Sequence, residues 1–518
     1  MTNNQFVEYQ HIPKEKFEFA NQGERIHDKK LDTKPIGYFK DAWIRFRRNK
    51  SSVAATLIII VLVLFAIIVP MVSPYTIADR NGYYANRLPK NSLTAELGFW
   101  DGARTETKNA AGYDYYAAIG VESGKSAIIG DVKESLDADG RPWYTFRLDT
   151  YAEVGYAFQN LSEADYLALQ EYQNETGIQV MYPIPKTYKT QYVLGNGGAN
   201  FWYKLVDETQ GSAGAAVRDE NGDYIPNYMT SDSPNKAKYD SLRIEGDNGG
   251  ANGDEWYVYA RKVQGGNYQV RVNYEEFYKY TYDRSPVFLF GTNAYGQDIL
   301  TCLAAGARLS FLLAVFVSAI NLTIGTIYGS IEGYYGGAID ITMERISDIL
   351  ASVPFIVVAT LFQMHLAEKV GVLPSLLFAF VLTGWVGMAS RVRMQFYRFK
   401  GQEYILAART LGAKDSRLMF KHILPNSIGT IITGAVLSIP GVIFSESMLS
   451  YLGIVNLETS SSLTSVGTML SQGQGYLYTH PHIILFPALF IALLEISFNL
   501  FGNGLRDAFN PSLRGSEE

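Results

Sequence analysis

The sequence predicts an all-α polytopic membrane domain of six transmembrane helices, into which a separate α+β domain, mostly β, is inserted. Three observations carry that prediction. Six apolar runs of about 18 or more residues, long enough to cross a hydrocarbon core, occur at 53–72, 309–331, 349–366, 373–390, 428–448 and 483–501. Between the first and second lies a polar stretch, 73–286, rich in Tyr, Gly, Asp and Asn. Between the fourth and fifth lies 401–429, GQEYILAARTLGAKDSRLMFKHILPNSIG, a basic segment that lipid cannot hold yet that is tethered close against it. The whole-chain averages, 19% charged residues and a mean hydropathy of −0.03, look soluble only because they mix two solvents.

Residues 1–52 read as a polar N-terminal segment that ends on Arg45, Arg47, Arg48 and Lys50, directly before the first run. The long polar lead and the sequence PMVSPYT, which lacks a small-residue cleavage site, argue against a cleaved signal. Lysine and arginine collect on cytoplasmic flanks. After the fourth run, Arg391, Arg393, Arg398, Lys400, Arg409, Lys414, Arg417 and Lys421 face only Glu403 and Asp415. Six crossings that start inside put this loop and both termini in the cytoplasm and 73–286 outside. Pro354 and Pro440 interrupt their runs, and Gly325, Gly329, Gly384 and Gly387 sit inside others, which suits helices packed on helices.

The stretch 73–286, about 210 residues, is long enough to bury a core of its own, with Trp100, Trp143, Trp202 and Trp256 as large apolar anchors. Alternating runs at 145–154, 179–184, 255–263 and 268–274 read as strands. Residues 162–175 read as a helix capped by Ser162 and closed by Gly177. Two acidic runs, 219–223 and 247–255, raise the question of calcium. In the first, Asp219, Asn221 and Asp223 alternate, but Tyr224 stands where a calcium loop needs glycine and no glutamate closes it. Asn-Gly and Asp-Gly turn chemistry explains both runs without a metal. Cys302 is the only cysteine, so the inserted domain has no disulfide.

Residues 403–411 predict a short helix presenting Ala407, Ala408 and Leu411 as a smooth face, with Gly412 ending it in a left-handed cap. A second amphipathic turn from Asp415 points Leu418, Ile423 and Leu424 to the membrane and Arg417 and Lys421 to water, until Pro425 and Asn426 stop it. The product is a helix–glycine–helix shelf that another protein could grip. Within the spans, polar residues are costly and often functional. Gln363, Glu446, Glu495 and Asn499 are therefore the candidate lining of a path, with capping of a helix or contact with Ser445 or Ser447 as the structural alternative for Glu446 and pairing across a dimer for Glu495. Asp348 is expected to pair with Arg345, and His365, His480 and His482 to make interfacial hydrogen bonds rather than bind metal.

The order Ala407, Ala408, Gly412, His422, Ile423, Leu424, Pro425 resembles the EAA loop of bacterial ABC importer permeases, with Leu406 where the family has glutamate. DAWIRFRRNKSSVAA, LFGTNAYGQDILTCLAAGARLS, GYYGGAID, ERISDILASVP, LTGWVGMASRVR, SYLGI and NLFGNGLRDAFNPSLRG extend the resemblance to the dipeptide and oligopeptide branch, C-type permease. Asn293 replaces that branch's Asp and Gln297 its Arg, and 73–286 stands where the branch has a short link. The resemblance implies a type I ABC importer permease in a bacterial cytoplasmic membrane, a transport subunit rather than an enzyme. It implies a homologous second permease, two ATP-binding subunits that carry ATP and Mg, an extracytoplasmic peptide-binding protein and a peptide cargo, with no nucleic acid. On this resemblance Glu403, Ala407, Ala408, Gly412, Ala413, Asp415 and Pro425 couple to an ATPase. No GxxxxGK[ST] loop is present, so energy enters from a partner. A membrane-anchored receptor or adhesin, a carrier of nickel chelates and a secondary carrier are the alternatives; the halves of the chain lack the inverted symmetry of the last.

Overall fold

Helices of membrane-crossing length make up the second half of the chain and one segment of the first. The computed structural model describes residues 37–186, 198–206, 215–231, 256–455, 457 and 463–509. Among these, Lys50–Val72, Ile299–Tyr335, Val372–Lys400, Asp415–Tyr451 and His482–Phe509 are each long and apolar enough to cross a membrane. Gly337–Ser352 and Phe355–His365, bent by 72° at their junction, make a sixth if counted as one span. The run 349–366 is thus not one straight helix. Pro354 disfavours helical backbone at the residue before it; Val353 is extended (ψ 121°) and Pro354 opens the next helix. Pro440 goes with a one-residue break at Leu437, between Leu424–Val436 and Ser438–Tyr451, and the fifth span continues across it.

The second and fourth spans cross in direct backbone contact. The second turns Gly325, Gly329 and Gly333 toward the fourth, one per helical turn. A Cβ on Gly325 would come within 2.7 Å of Met388 Cβ, and one on Gly333 within 2.7 Å of Phe396 Cβ. Small residues at such a spacing let two helices approach without intervening side chains. Ahead of the first span, where the sequence predicts a polar segment, the helix Tyr38–Arg48 packs Ala42 and Phe46 against Phe501, Leu505 and Ala508 of the last span.

Among its described residues the inserted region is α+β, with helix and strand in comparable measure rather than mostly strand. Pro142–Asp149 is the centre of a three-stranded antiparallel sheet between Ala103–Asn109 and Ile128–Leu136. In a second sheet Tyr268–Asn273 pairs with Tyr156–Leu161 on one side and with Met181–Tyr182 and Ala260–Lys262 on the other. The expected strand at 145–154 ends at Asp149 because residues 152–154 form a 3₁₀ turn, and the one at 255–263 divides into two short pieces. Glu163–Thr176 is helical as expected, with Ser162 Oγ accepting the Asp165 N–H at 3.2 Å and Gly177 at φ +70°. Helices Ala110–Ser123 and Tyr274–Tyr282 were not anticipated, although Asn109 and Asn273 cap them with their side-chain oxygens.

The core of this region contains a charge. Arg271 is fully buried, donating to both oxygens of Glu122 at 2.8 and 2.5 Å and to the carbonyls of Ala199 and Pro183. Its guanidinium lies 3.9 Å from the Tyr156 ring centroid, and Tyr228 donates to Glu122 at 2.6 Å. Burial works to lower the arginine pKa, but the Glu122 carboxylate more than offsets it and holds the group charged. Tyr75, Tyr84, Tyr274, Tyr278 and Phe288 then join the base of the inserted region to the segment entering the second span. In the acidic run 219–223, Asp219 Oδ1 accepts the N–H groups of Asn221 and Asp223 at 2.9 Å each and Gly222 sits at φ +89°, so the run is a turn. The run 247–255 lies outside the described residues.

Candidate functional site

The shelf is built by backbone hydrogen bonds around one glycine. Glu403–Thr410 is helical, Leu411 follows it, and Gly412 takes φ +86°. The Ala413 N–H reaches back to the Ala408 carbonyl at 3.1 Å and the Gly412 N–H to the Arg409 carbonyl at 2.9 Å. This pair of bonds is the Schellman closure, and a left-handed residue at its corner is what permits it. Ala408 and Ala413, the residues it brings together, are half-buried against the cluster containing Ile405, Leu418 and Phe396. Glu403 and Ala407 are exposed, as are Leu406 at 47% and Leu411 at 88%.

Beyond Lys414 the chain departs from expectation. Pro425 does not stop the second helix; residues 415–451 form one span. Proline removes an N–H and crowds the carbonyl four residues back. Here a π turn over Leu418–Ile423 absorbs both effects, with Leu424 N–H bonded to the Met419 carbonyl. Leu418 and Ile423 are fully buried among protein side chains rather than turned to lipid, while Arg417 and Lys421 are exposed.

Polar side chains tie the shelf to the second span. The hydroxyl of Tyr334 donates to Asp415 Oδ1 at 2.5 Å and accepts from Arg409 at 3.2 Å, bridging the two halves of the shelf. Lys400 donates to the Gly333 carbonyl at 2.8 Å. Arg393 clamps the neighbouring helix through Asp340, at 2.6 and 3.0 Å, and Glu344, at 2.7 and 3.0 Å. Asp348 pairs with Arg345 at 3.1 Å on the exposed face, as the spacing predicts.

The four polar residues singled out within spans line neither of two clefts described below. Glu446 is 2% exposed, and its oxygens accept from Ser310 and Ser450 at 3.0 Å each. It ties the second span to the fifth. Gln363 donates to the Val372 carbonyl at 3.2 Å and closes the turn into the fourth span. Glu495 is half-buried with Oε1 lacking a hydrogen-bond partner, and Asn499 is exposed. His480 Nδ1 lies 3.1 Å from Thr479 Oγ1 and His482 Nε2 lies 3.3 Å from the Thr292 carbonyl, while His365 is exposed. Asn293 and Gln297 are both buried and bond each other at 2.9 Å, so the two departures from the resembled pattern compensate one another with a neutral pair.

A cleft of about 410 Å³ opens instead among the second, fourth and fifth spans, lined by Asn321, Thr383, Ser438, Ser445 and Arg391. Gly384, Gly387 and Gly441 form its walls. A Cβ on Gly387 or Gly441 would meet nothing within 4 Å. Gly387 and Gly441 hold space open rather than admit a neighbouring helix, whereas Gly384 admits Asn321 of the second span, whose Nδ2 would clash with a Cβ there. The signal in the sequence was the coincidence of glycine and hydroxyl residues on the fourth and fifth spans, which hydropathy alone does not separate from packing. A second cleft, about 330 Å³, lies nearer the shelf among Arg391, Gln395, Arg398, Thr430, Thr433 and Arg506.

With this geometry in hand, the comparisons with known proteins are direct. Residues 321–515 match the family described as binding-protein-dependent transport system inner membrane component, and 37–89 match the N-terminal TM domain of oligopeptide transport permease C. The oligopeptide transport system permease protein OppC of Bacillus subtilis is 44% identical over 225 residues, 43% of this chain and 72% of that protein. The dipeptide transport system permease protein DppC of the same organism is 40% identical over 226 residues, 43% of this chain and 69% of that protein. Inward-facing MetNI methionine ABC transporter aligns with a TM-score of 0.33 at 16% identity, over 40% of this chain and 96% of that one, too weak a likeness to carry weight. The two family matches leave 90–320 between them, which contains most of the inserted region. The chain belongs to the family of binding-protein-dependent transport system inner membrane components, in its oligopeptide and dipeptide permease branch.

Proposed function

We propose that this chain is the C-type permease of an ATP-driven importer of peptides, forming half of the translocation path beside a homologous second permease. The shelf at 401–429 faces the cytoplasm and seats on one of two ATP-binding subunits, which hold the ATP and Mg. The inserted region, 73–286, stands outside, where it helps dock a peptide-binding protein or the second permease. ATP closes the ATPase pair, the shelves move together, and the outer ends of the spans part to receive cargo; hydrolysis returns the inward-facing state.

The observation that carries this reading is the rigid link from shelf to span, in which Tyr334 holds Asp415 and Arg409 while Lys400 holds Gly333. A force applied to the shelf is thereby felt at the end of the second span. Leu406 fits the same reading: with Leu411 it makes the exposed grip apolar, so the contact rests on buried area in place of a glutamate's charge. The peptide cargo is supported by the printed names of the relatives. A receptor would need only one span and would leave the shelf without a task.

The test is co-purification together with uptake. Leu411→Glu charges an 88% exposed side chain and leaves the fold alone. It is expected to abolish recovery of the ATP-binding subunits and ATP-dependent uptake of labelled trialanine. Full recovery and uptake with this variant would remove the shelf from the coupling path.

A further inference from the structure

Arg391 lines both clefts, so the polar space between the spans continues toward the shelf through its guanidinium. Apart from Arg391 itself, the upper part offers neutral hydrogen-bonding groups: Asn321, Thr383, Ser438 and Ser445. Asn321 is 8% exposed, and its Oδ1 has no hydrogen-bond partner. The lower part changes character. Arg391, Arg398 and Arg506 line it from the fourth and last spans, and no carboxylate is among its lining residues within the described part of the chain.

None of these three arginines is in an ion pair among the described residues. Acids are within reach of this part of the chain, because Arg393, two residues from Arg391, is held by both Asp340 and Glu344. The positive bias of a cytoplasmic flank explains why arginines are present. It does not explain why three of them line one cleft with no carboxylate among its described lining residues. Arg391 is also positioned: its Nη1 donates to the Gly434 carbonyl at 3.1 Å, and a Cβ on Gly434 would come 2.8 Å from that nitrogen. All three arginines are exposed; guanidinium groups gathered in one cleft repel one another until an oxyanion joins them, and their fork geometry suits a carboxylate or a phosphate.

We propose that this lower cleft is an oxyanion subsite of the translocation path, which takes the terminal carboxylate of the cargo. A peptide then stands with its carboxylate end toward the shelf and its backbone amides against the neutral groups above. The inference rests on the peptide-importer reading and adds an orientation and a chemical selectivity to it. A phospholipid phosphate offers the same chemistry; continuity with the neutral cleft favours the cargo.

The test measures binding of radiolabelled trialanine and of trialanine amide to the purified, nucleotide-free importer complex in phosphatidylcholine nanodiscs, without the binding protein. Trialanine is expected to bind about tenfold more tightly than its amide, the loss typical of one charge-assisted hydrogen-bonded contact. Arg391→Gln and Arg506→Gln should erase that preference by weakening the acid alone; unchanged amide binding shows that the cleft is still folded. Gly434→Ala, which displaces the guanidinium without removing charge, should do the same in part. Equal binding of acid and amide by the wild type overturns the inference, as does equal weakening of both by the arginine variants. If phosphatidylglycerol in the nanodisc abolishes the arginine dependence without releasing trialanine, the lipid phosphate is the occupant and the inference also falls. Absence of trialanine binding overturns it as well. Separate uptake by the complete system then decides whether the peptide-importer reading falls too.

Discussion

Gly412 offers the sharpest test of how the shelf works, because its surroundings isolate one energetic term. Its φ is +86°, and a Cβ added there would meet no heavy atom within 4 Å. Any cost of substitution is therefore that of the left-handed backbone itself, about 1–2 kcal/mol for an ordinary L residue. At about 1.4 kcal/mol per tenfold, that shifts the balance between the closed and opened Schellman turn by roughly 5- to 30-fold. Asparagine visits this region more readily than alanine, and β-branched valine least of all. Reconstituted complexes carrying Gly412→Asn, Gly412→Ala and Gly412→Val should then show a graded rise in ATP hydrolysed per peptide imported, with hydrolysis itself retained. Gly412→Asp adds charge to the same corner and should uncouple the two more than Gly412→Asn does. A wild-type stoichiometry in the alanine and valine variants, or an asparagine variant as impaired as valine, would refute the argument that the turn geometry transmits the stroke.

Three further outcomes follow from the packing. Asn293→Asp and Gln297→Arg should each lower stability by about 2 kcal/mol or more by burying an unpaired charge, and the double variant should recover most of it, read as a coupling energy from thermal melts. Gly333→Ala should cost about 1–3 kcal/mol by forcing the second and fourth spans apart, because its Cβ would come 2.7 Å from Phe396 Cβ; Gly387→Ala, with open space beside it, should cost nothing measurable. Burial works to raise the Glu275 pKa, but its hydrogen bond to Lys279 and the charges of Lys279 and Lys125 hold it below the usual 4.5. That contribution is present above the ordinary glutamate value and is lost as pH falls through the lowered one. Amide protection factors around Tyr274–Tyr282, corrected for the intrinsic pH dependence of exchange, should therefore fall on acidification through that window, and protection unchanged with pH would count against the pairing.

Much of the membrane part is legible because hydrophobic thickness acts on contiguous residues: a run of apolar side chains is either long enough to cross or it is not. The cap at Gly412 is legible for the same reason, since its φ depends on the residue and its immediate neighbours. The proline readings succeeded only where the effect stayed local. Pro354 bends its span through the one residue before it, whereas Pro425 is absorbed by a π turn whose buried side chains, Leu418 and Ile423, meet the second and fourth spans. In the inserted region the Asn caps at Asn109 and Asn273 were present in the sequence, yet the helices they begin carry aromatic residues around much of their surface. Their tyrosines are sorted by sheets formed from distant strands.

The sequence by itself determined where the chain can cross a bilayer, where its basic shelf falls and which family it joins, since each depends on short-range order along the chain. Only the tertiary structure decided what its polar residues do. A buried polar group is tolerated when its partners are supplied, and those partners come from far along the chain. Ser310 takes up Glu446 and Glu122 takes up Arg271. For the same reason the cleft at Arg391 is defined by what three separate spans leave unpaired, a property that no single segment contains.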